Sequence, residues 1–531
     1  MEWFNNAVIY QIYPLGYCGA ERENSFTPFD PGKGKAKLLK IIEHIPEIKR
    51  LGFNAVLFNP LFESSAHGYD TADYTKVDSR LGGNGDFKAV CAALRENGIR
   101  IILDGVFNHV GREFTKFKDV REKKWGSEYK DWFHIRDGNS NYGDGFYYEG
   151  WEGHYELVKL NLNNSAVRDY LKSVISGWVA EFGIDGLRLD VAYCLDLNFL
   201  KELRAHCKGL KSDFWLMGET LHGDYNRWCN PEMLDSVTNY ECYKGLYSSF
   251  NELNMFEIAY SLNRQFGKEG WTIYRGKKLL CFLDNHDVSR IASRLTEFKH
   301  LPAAYTLMFT MPGVPSVYYG SEYCQSGDKN AGDAVLRPEF DLRNYDQNCE
   351  SAMLIAKLTR LHAGVPALYE GSYAQLQLLN RQFSFIRESG SSVAVTLLNA
   401  DDKSFTFNIN QRGEFTDALT GRKIDASRPI ELPAFGAMVL VNEPINLDIP
   451  KSAAILQSVA EEAAAPAAPA ESEPDEKTVK ARRFVSEVKE LAEKYGLPVF
   501  VVTDGASGAN DIGCEAVERA KNAHDEWESE R

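Results

Sequence analysis

The sequence predicts an α/β protein with a (β/α)8 barrel, a segment inserted after the third strand, an antiparallel β-sandwich and a small α/β module at the C-terminus. Three observations lead to this prediction. Short apolar runs alternate with amphipathic segments up to about residue 365, one interval is much longer than the rest, and the pattern changes after residue 369. Alternation of this kind is typical of parallel strands joined by crossover helices.

Eight apolar runs have the length and composition of barrel strands. Amphipathic segments lie between most of them, for example at 36–51, 87–97 and 167–182. Eight such units predict a barrel that spans residues 1–369. The predicted strands are 7–13, 53–58, 100–103, 186–189, 214–217, 236–239, 279–283 and 316–319.

The interval 109–161 is too long for a simple connection between the third and fourth strands. It is rich in glycine and in aromatic residues, and an insertion at this point lies on the face where barrel enzymes carry their active sites. Two interpretations stay open and are compatible: a lid that shapes a cleft, and a loop that packs a small core of its own. The aromatic residues are Tyr142, Phe146, Tyr147, Tyr148, Trp151 and Tyr155.

Beyond residue 369 the pattern becomes strand-like, with alternating runs at 384–387, 392–398, 404–409 and 437–441. These runs predict an antiparallel sandwich over 370–445. Residues 446–478 are expected to be a linker, because 461–476 contains three prolines, six acidic residues and no basic residue. The remaining residues, 479–531, predict a helix–strand–helix module that either mediates oligomerisation or partner binding, or forms a separate small domain.

Composition narrows the function classes. Hydrophobic residues are 44% and charged residues 25% of 531, which is ordinary for a globular protein. The net charge of −15 argues against nucleic acid as a partner. The ten cysteines form no CxxC pair, the N-terminus carries an acid where a signal peptide needs bases, and no apolar stretch reaches ~18 residues. We therefore expect a cytoplasmic protein with no membrane contact.

Chemically useful side chains follow four of the predicted strands. Asp104 and His109 follow the third, Arg188 and Asp190 belong to the fourth, Glu219 follows the fifth, and His286 and Asp287 follow the seventh. Catalytic groups of barrel enzymes lie just beyond the strand ends. A single carboxylate after a strand is usually a helix cap or a solvated residue, so the prediction depends on the four segments together.

Two of these carboxylates suit the cleavage of a glycosidic bond. That reaction needs an acid that protonates the leaving oxygen and a carboxylate on the other face of the sugar, ~5–5.5 Å away when configuration is retained. Asp190 and Glu219 end adjacent strands, which are ~4.8 Å apart. We expect Arg188, on the same face as Asp190, to keep that carboxylate ionised. The apolar run 214–217 is expected to help keep Glu219 protonated.

The same segments resemble the conserved regions of the α-amylase family, glycoside hydrolase family 13. The resemblance covers about residues 1–445 and depends on all motifs occurring in order. The matching segments are 104–109, 186–190, 218–219 and 285–287 for the four regions, 67–70 for the segment with a stacking tyrosine, and 313–322 with 337–338 for the stretch around strand eight.

The resemblance implies a role for each matched residue. Asp190 is implied as the nucleophile, Glu219 as the acid/base and Asp287 as the stabiliser of the transition state. Tyr69, His109, Arg188, His286 and Asp104 are implied to bind the sugar. The implied partners are α-glucan oligosaccharides. The expected reaction is hydrolysis of α-1,4 bonds in maltodextrins, with cyclodextrins and pullulan as further candidates. The alternatives are a 4-α-glucanotransferase or isomerase using the same site, or a non-catalytic glucan-binding barrel.

Residues 157–161, 188–192 and 235–240 resemble the neopullulanase, cyclomaltodextrinase and maltogenic amylase group. Members of that group usually carry an extra N-terminal domain that helps to form a dimeric active site. Here the first predicted strand begins within about ten residues of Met1. This departure weakens the expectation of their dimer and of their preference for cyclodextrins.

No cofactor is expected to be required. Asn108 is a candidate calcium ligand, and the alternative is that it braces its loop by hydrogen bonds. Many secreted α-amylases have a Lys-His pair after the second region, whose histidine supplies a carbonyl ligand. This sequence has Tyr193-Cys194 at that place, so the pair is absent.

Overall fold

The structure, a computed structural model, describes residues 2–450 and 452, apart from the side chain of Lys33. The predicted linker beyond residue 452 and the predicted module 479–531 lie outside the described residues.

Eight parallel strands form the central sheet, and each corresponds to one of the eight predicted runs. Along the sheet their order is β6-β5-β4-β3-β2-β1-β8-β7, and every neighbouring pair is parallel. A parallel bridge between Thr238 and Leu280 joins the two outer strands, so the sheet closes into a barrel. The strands are β1 (Ile9–Ile12), β2 (Ala55–Phe58), β3 (Arg100–Gly105), β4 (Gly186–Leu189), β5 (Trp215–Gly218), β6 (Ser236–Val237), β7 (Leu280–Phe282) and β8 (Val314–Tyr318).

A separate apolar cluster fills the lower part of the barrel. Ile9, Leu57, Trp215 and Met217 belong to it, and Phe4 stacks on Trp215 with ring centroids 5.6 Å apart. Side chains two residues apart in a strand share a face. Gln11 therefore points to the barrel interior like Ile9, one level closer to the carboxyl ends of the strands.

Helices surround the barrel. The helix Ser165–Phe182 shows how their ends are set: Asn164 accepts a hydrogen bond from the backbone of Ala166, and Gly183 ends the helix at a φ of 65°. The predicted helix 36–51 begins later than expected, because 37–39 form a 3-10 turn. The main helices are Lys40–Arg50, Asn84–Glu96, Ser165–Phe182, Leu197–Leu210, Tyr240–Asn251, Phe256–Phe266, Leu301–Thr310 and Glu350–Gly364, and the shorter ones are Pro14–Tyr17, Thr115–Lys123, Ile291–Arg294 and Pro366–Tyr369.

The insertion after β3 packs an aromatic core. The ring of Phe117 lies 5.0 Å from that of Phe133 and 4.9 Å from that of Tyr148. Its strand His109–Gly111 pairs with His154–Lys159, which also pairs with Gly150–Trp151. The insertion therefore packs its own core, and it also places Trp151 beside His109, at 5.7 Å between ring centroids. Smaller strand pairs are Ile135–Arg136 with Tyr147–Tyr148 and Phe62–Ser64 with Thr71–Val77.

The C-terminal part of the described chain is antiparallel, as predicted. One six-stranded sheet faces the barrel with Phe383, Leu398 and Val439 and packs Val395 and Leu440 into a second apolar cluster on its other face. A two-stranded sheet, Phe405–Phe407 with Ile430–Leu432, covers that cluster. The six strands, in sheet order, are Ser372–Leu378, Gln382–Ser389, Ser392–Asn399, Ala437–Val441, Glu414–Asp417 and Lys423–Asp425.

No helix within residues 2–450 has both the length and the apolar character that crossing a membrane requires.

Candidate active site

Arg188 lies at the centre of the barrel mouth and contacts three carboxyl groups. Its Nη1 donates to both oxygens of Asp104, at 2.9 and 2.8 Å, and to Oδ1 of Asp190, at 2.8 Å. Its Nη2 lies 2.9 Å from Oε2 of Glu219. All four side chains are buried. The structure thus brings residues of β3, β4 and β5 together around one cation.

Val191, directly after Asp190, supplies a second donor to Glu219. Its backbone N–H donates to Oε2 at 3.0 Å. The residue has a φ of 38° and a ψ of 48°, a left-handed conformation that is unusual for a β-branched side chain. Because Arg188 and Val191 both bind Oε2, the other oxygen, Oε1, is the one able to carry a proton. The sequence predicted an apolar environment for Glu219, and these two polar contacts were not expected.

The electrostatics of this cluster differ from a simple ion pair between Arg188 and Asp190. Burial raises the pKa of Asp190 well above its usual range, Arg188 lowers it, and Glu219 raises it further. Burial also raises the pKa of Asp104, against the lowering effect of Arg188. Three carboxyl groups share one guanidinium, so full ionisation would leave two uncompensated negative charges in a buried site. A proton retained within the cluster relieves that excess.

His109 enters the same site from the start of the insertion. Asn108 Nδ2 lies 3.1 Å from His109 Nδ1, and donation from the amide leaves the proton of the ring on Nε2. Nε2 is buried without a hydrogen-bond partner in the described part of the chain and lies 3.8 Å from Oδ2 of Asp190. Burial lowers the pKa of His109 to about 3, so the ring is neutral at physiological pH.

Asp287 is held on the opposite side of the mouth by two partners. His286 Nε2 lies 3.0 Å from its Oδ2, and Arg337 Nη2 donates to its Oδ1 at 2.7 Å. Arg337 Nε also donates to the carbonyl of His286 at 3.0 Å. Burial opposes ionisation, but His286 and Arg337 outweigh it and lower the pKa of Asp287 well below its usual range.

Tyr69 connects the two sides. Its hydroxyl donates to Oδ2 of Asp104 at 3.2 Å and contacts Nε2 of His286, whose ring is stacked on it at 5.6 Å between centroids. The loop before Tyr69 is shaped by Asp70, which accepts from the backbone of Ala66 and His67. Gly68 has a φ of 88°, and a Cβ there would lie 2.9 Å from Pro60, so glycine is required.

The structure thus places all eight predicted site residues in one connected cluster. It also places there four side chains that the sequence reasoning left out. Arg337 was noted only as part of a motif, and Tyr240, half-buried, accepts from Asn285 at 3.1 Å. Gln11 and Asn59 lie between the two acidic sides. Asn59 directly follows β2, so the strand-end pattern applied to the second strand would have found it.

The arrangement offers two carboxyl groups with different tasks. Glu219 has Oε1 available for a proton, and Asp190 has Oδ2 unclaimed by Arg188. A neutral imidazole N–H of His109 faces the same space, and Asp287 remains ionised nearby. An acid, a nucleophile and an anion around one cleft are what a glycosidic bond needs for cleavage through an oxocarbenium-like transition state.

Comparisons with known proteins show which family the chain is similar to. Residues 11–371 match the family model described as alpha amylase, catalytic domain. Over 421 residues the chain is 30% identical to a cyclomaltodextrinase from a Bacillus species, across 76% of this chain and 74% of the relative. Over 464 residues it is 30% identical to neopullulanase 2 of Thermoactinomyces vulgaris, across 83% and 78%. Among solved structures, the ligand-free cyclic alpha-maltosyl-(1→6)-maltose hydrolase of Arthrobacter globiformis superposes with a TM-score of 0.71 and 27% identity, across 83% of this chain and 100% of that one.

Proposed function

Because the chain belongs to the alpha-amylase family of glycoside hydrolases, we propose that it hydrolyses α-1,4 bonds of maltodextrins by double displacement, with retention of configuration. The names of the relatives add cyclodextrins and pullulan as candidate substrates. Neutral sugars also suit an acidic protein with a net charge of −15, since they bring no charge that the surface would repel.

The observation that carries the proposal is the placement of Asp190 and Glu219 on one guanidinium. Leu189 and Gly218 are register partners in adjacent parallel strands, and the two carboxylic residues follow them directly. Neighbouring strands are ~4.8 Å apart, which supports the short separation between carboxyl groups that retaining enzymes use. The longer separation of inverting enzymes, about 6.5–9.5 Å, leaves room for a water between them.

In the first step, Glu219 Oε1 gives its proton to the glycosidic oxygen as the bond from that oxygen to the anomeric carbon breaks. Oδ2 of Asp190 attacks the anomeric carbon from the other face, and a covalent glycosyl–Asp190 ester forms. Arg188 stays on Oδ1 of Asp190 and on Oε2 of Glu219. It therefore holds both reacting groups in place while leaving their other oxygens free.

In the second step, the leaving sugar has departed and Glu219 is a carboxylate. It takes a proton from a water molecule as the water oxygen attacks the anomeric carbon and the ester bond to Asp190 breaks. Two displacements on the same carbon restore the original configuration, and Glu219 ends the cycle protonated. The two buried contacts on Oε2 compensate the charge that Glu219 carries between the steps.

Tyr69, His109 and Asp287 interact with the sugar in this proposal. His109 offers a free N–H near Asp190, and the face of Tyr69 provides a stacking surface. Asp287, ionised and held on both oxygens, accepts from sugar hydroxyls and favours the positive charge that develops on the ring. Asp104 and Arg188 hold the side chains of Asp190 and Glu219 in place.

We also propose that no metal ion is required. Asn108 contacts His109 through its side chain, and its carbonyl accepts from Leu160 at 2.9 Å, so it braces the start of the insertion. Prolonged dialysis against a chelator is expected to leave kcat/KM unchanged within twofold. A loss that calcium alone restores would assign Asn108 to a calcium site instead.

The proposal is tested by product analysis. Wild type, Asp190→Asn and Asp425→Asn, an exposed control in the C-terminal sheet, are each incubated with maltoheptaose, β-cyclodextrin and pullulan. We expect glucose and short maltooligosaccharides from wild type and the control, and none from Asp190→Asn. Products longer than maltoheptaose would show a transferase, and absence of all products would contradict the proposal.

A further inference from the structure

A chain of neutral side chains runs between the two acidic sides of the site. Asn59 Nδ2 donates to Oδ2 of Asp104 at 3.1 Å, and Gln11 Nε2 donates to Oδ1 of Asn59 at 2.9 Å. Gln11 Nε2 also lies 3.1 Å from Nδ1 of His286. The Nε2 of that ring lies 3.0 Å from Asp287. All of these side chains except Asp287 are buried.

Asp104 determines the direction of the hydrogen bonds along this series of side chains. Both oxygens of that carboxyl group accept from Arg188, so the group of Asn59 that faces Oδ2 is the NH2. The oxygen of Asn59 then faces Gln11, which must present its own NH2. The second N–H of that NH2 points to His286, so Nδ1 of the ring is an acceptor.

The contacts on the Asp287 side of the ring indicate the same tautomer of His286. Asp287 is the partner of Arg337 and faces His286 Nε2 with a carboxylate oxygen. A lone pair on Nε2 would oppose that oxygen at 3.0 Å, whereas an N–H donates to it. The Tyr69 hydroxyl gives its own proton to Asp104 and therefore also presents an oxygen to Nε2. Nε2 is therefore the protonated nitrogen, in agreement with an acceptor at Nδ1.

The ring has little freedom to adopt another arrangement. It lies between the rings of Tyr69 and Tyr13, at 5.6 and 6.2 Å, with interplanar angles of 6° and 12°. Burial lowers the pKa of His286, so the ring carries one proton rather than two near neutral pH. A 180° rotation of the ring would put Cδ2 and Cε1 in the places of Nδ1 and Nε2, and it would break the contacts at both ends.

We propose that Gln11 and Asn59 are positioning residues that hold His286 as the Nε2–H tautomer and so direct its single N–H to Asp287 and to a sugar hydroxyl bound beside it. The part that concerns the sugar rests on the proposed function, whereas the tautomer does not. Neither residue needs to touch the substrate. Loss of the Gln11 donor leaves the lone pair of Nδ1 buried without a partner, which weakens the preference for this tautomer and for this position of the ring.

The tautomer is measured first in wild-type protein labelled with 15N-histidine, with His286→Gln used to assign the signals. We expect the Nδ1 of His286 to have the shift of an unprotonated nitrogen and Nε2 that of an N–H, both unchanged from pH 6 to 8. A protonated Nδ1 in wild type would overturn the proposal. This measurement needs no turnover, so it stands even if the proposed reaction fails.

The kinetic test uses two matched substitutions. Gln11→Met removes the donor with little change of volume. Gln382→Met removes a second buried pair of the same kind, in which Gln382 Nε2 donates to Oδ1 of Asn399 at 2.9 Å in the C-terminal sheet. Gln11→Met is expected to lower kcat/KM on maltoheptaose roughly 10- to 100-fold, the range that an unpaired buried polar group produces. Gln382→Met should match wild type in kcat/KM.

A third variant, Gln11→Glu, replaces the donor by an acceptor of the same size. We expect it to bring a proton to Nδ1 of His286 in the 15N spectrum, with a larger kinetic loss at pH 7 than Gln11→Met. If both Gln11 variants keep the wild-type spectrum and the wild-type kcat/KM, the side chain has no positioning role. If the Gln11 variants fail to fold, the wild-type spectrum still tests the tautomer. Asn59→Leu, which removes the acceptor of Gln11, then tests the positioning role.

Discussion

Two buried carboxyl clusters lie near the carboxyl ends of the barrel strands, and they differ in how the buried carboxyl groups are stabilised. The active-site cluster consists of Asp104, Asp190 and Glu219 around Arg188. The Glu322 cluster lies outside the barrel wall, where Tyr10 donates to Glu322 at 2.6 Å and Tyr323 donates to Glu47 at 2.8 Å. Glu47 is also bound by both Nε and Nη2 of Arg50, at 2.6 Å each.

The two clusters differ in how the carboxyl oxygens are satisfied. In the active site, each reacting carboxyl has one oxygen tied to Arg188, and the remaining oxygens are available for chemistry. In the Glu322 cluster, Oε2 of Glu322 has no partner among the described residues, and the residue lines a space of about 10 Å³, enough for one water. Burial raises the pKa of Glu322 to about 8, so it is a neutral acid at pH 7. Burial of carboxyl groups alone therefore does not make an active site. The groups also need a cation that they share and oxygens that a substrate can reach.

Among the changes that compare the two clusters, the largest effect is expected from Glu219→Gln, which keeps both contacts on Oε2 but removes the proton donor. The kcat on maltoheptaose should fall by about 10²–10⁴, the contribution typical of general acid catalysis. Steady-state kinetics with an aryl maltoside carrying a good leaving group provide the control, since that substrate needs less protonation. Equal losses on both substrates would argue that Glu219 has only a structural role.

Replacing the arginine of each cluster tests whether the two clusters differ in their contribution to catalysis. Arg188→Met should lower kcat/KM at least about 100-fold and destabilise the fold by ~3–5 kcal/mol, because buried carboxylates lose their partner. Arg50→Met should destabilise by a comparable or smaller amount and leave kcat/KM near wild type. Thermal unfolding and kinetics of both variants check this. A large kinetic loss in Arg50→Met would break the distinction between the clusters.

The pH dependence of stability should identify Glu322. Its pKa is about 8 in the fold and ~4.3 in the unfolded chain, so the folded state binds more protons between these values. Wild type therefore loses stability as the pH rises from about 5 to 8, by up to ~1.4 kcal/mol per pH unit, and the loss ends above pH 8. Glu322→Gln lacks this slope, so its melting temperature relative to wild type should rise with pH.

The pH dependence of stability between pH 5 and 8 is assigned to Glu322 after considering the titratable groups that face it. They are Tyr10 from β1, His44 and Glu47 from the helix Lys40–Arg50, and Tyr17 and Tyr323. Burial raises the pKa of the three tyrosines and lowers the pKa of His44 to about 4, so the tyrosines and His44 titrate outside pH 5–8. Parallel pH profiles for wild type and Glu322→Gln would show that Glu322 is ionised at pH 7. The turnover of both proteins should be equal.

Much of the fold could be predicted because the barrel strands are buried on both faces and read as apolar runs. All eight were found, with shifted ends: β6 is Ser236–Val237 rather than 236–239, and β8 begins at Val314. The strand Lys423–Asp425 was missed because it is short, polar and at the edge of its sheet. Such a strand contributes little apolar pattern to detect.

The site was predictable where charged residues follow strands and less so elsewhere. Gln11 and Asn59 are uncharged, so a search for catalytic types did not select them. The left-handed conformation of Val191 has no signature in the sequence, because β-branched residues disfavour it. The sharing of Arg188 among three carboxyl groups depends on strand register, which the order of motifs alone does not give.

In the proposed mechanism, Asp190 forms a covalent bond to the sugar while Glu219 gives and takes back the proton. The most direct measurement is the anomeric configuration of the first product, followed by ¹H NMR during rapid hydrolysis of maltoheptaose, before mutarotation. The α-anomer should form first and equilibrate later with the β-anomer. Initial formation of the β-anomer would mean a single displacement and would contradict the double-displacement roles assigned to Asp190 and Glu219.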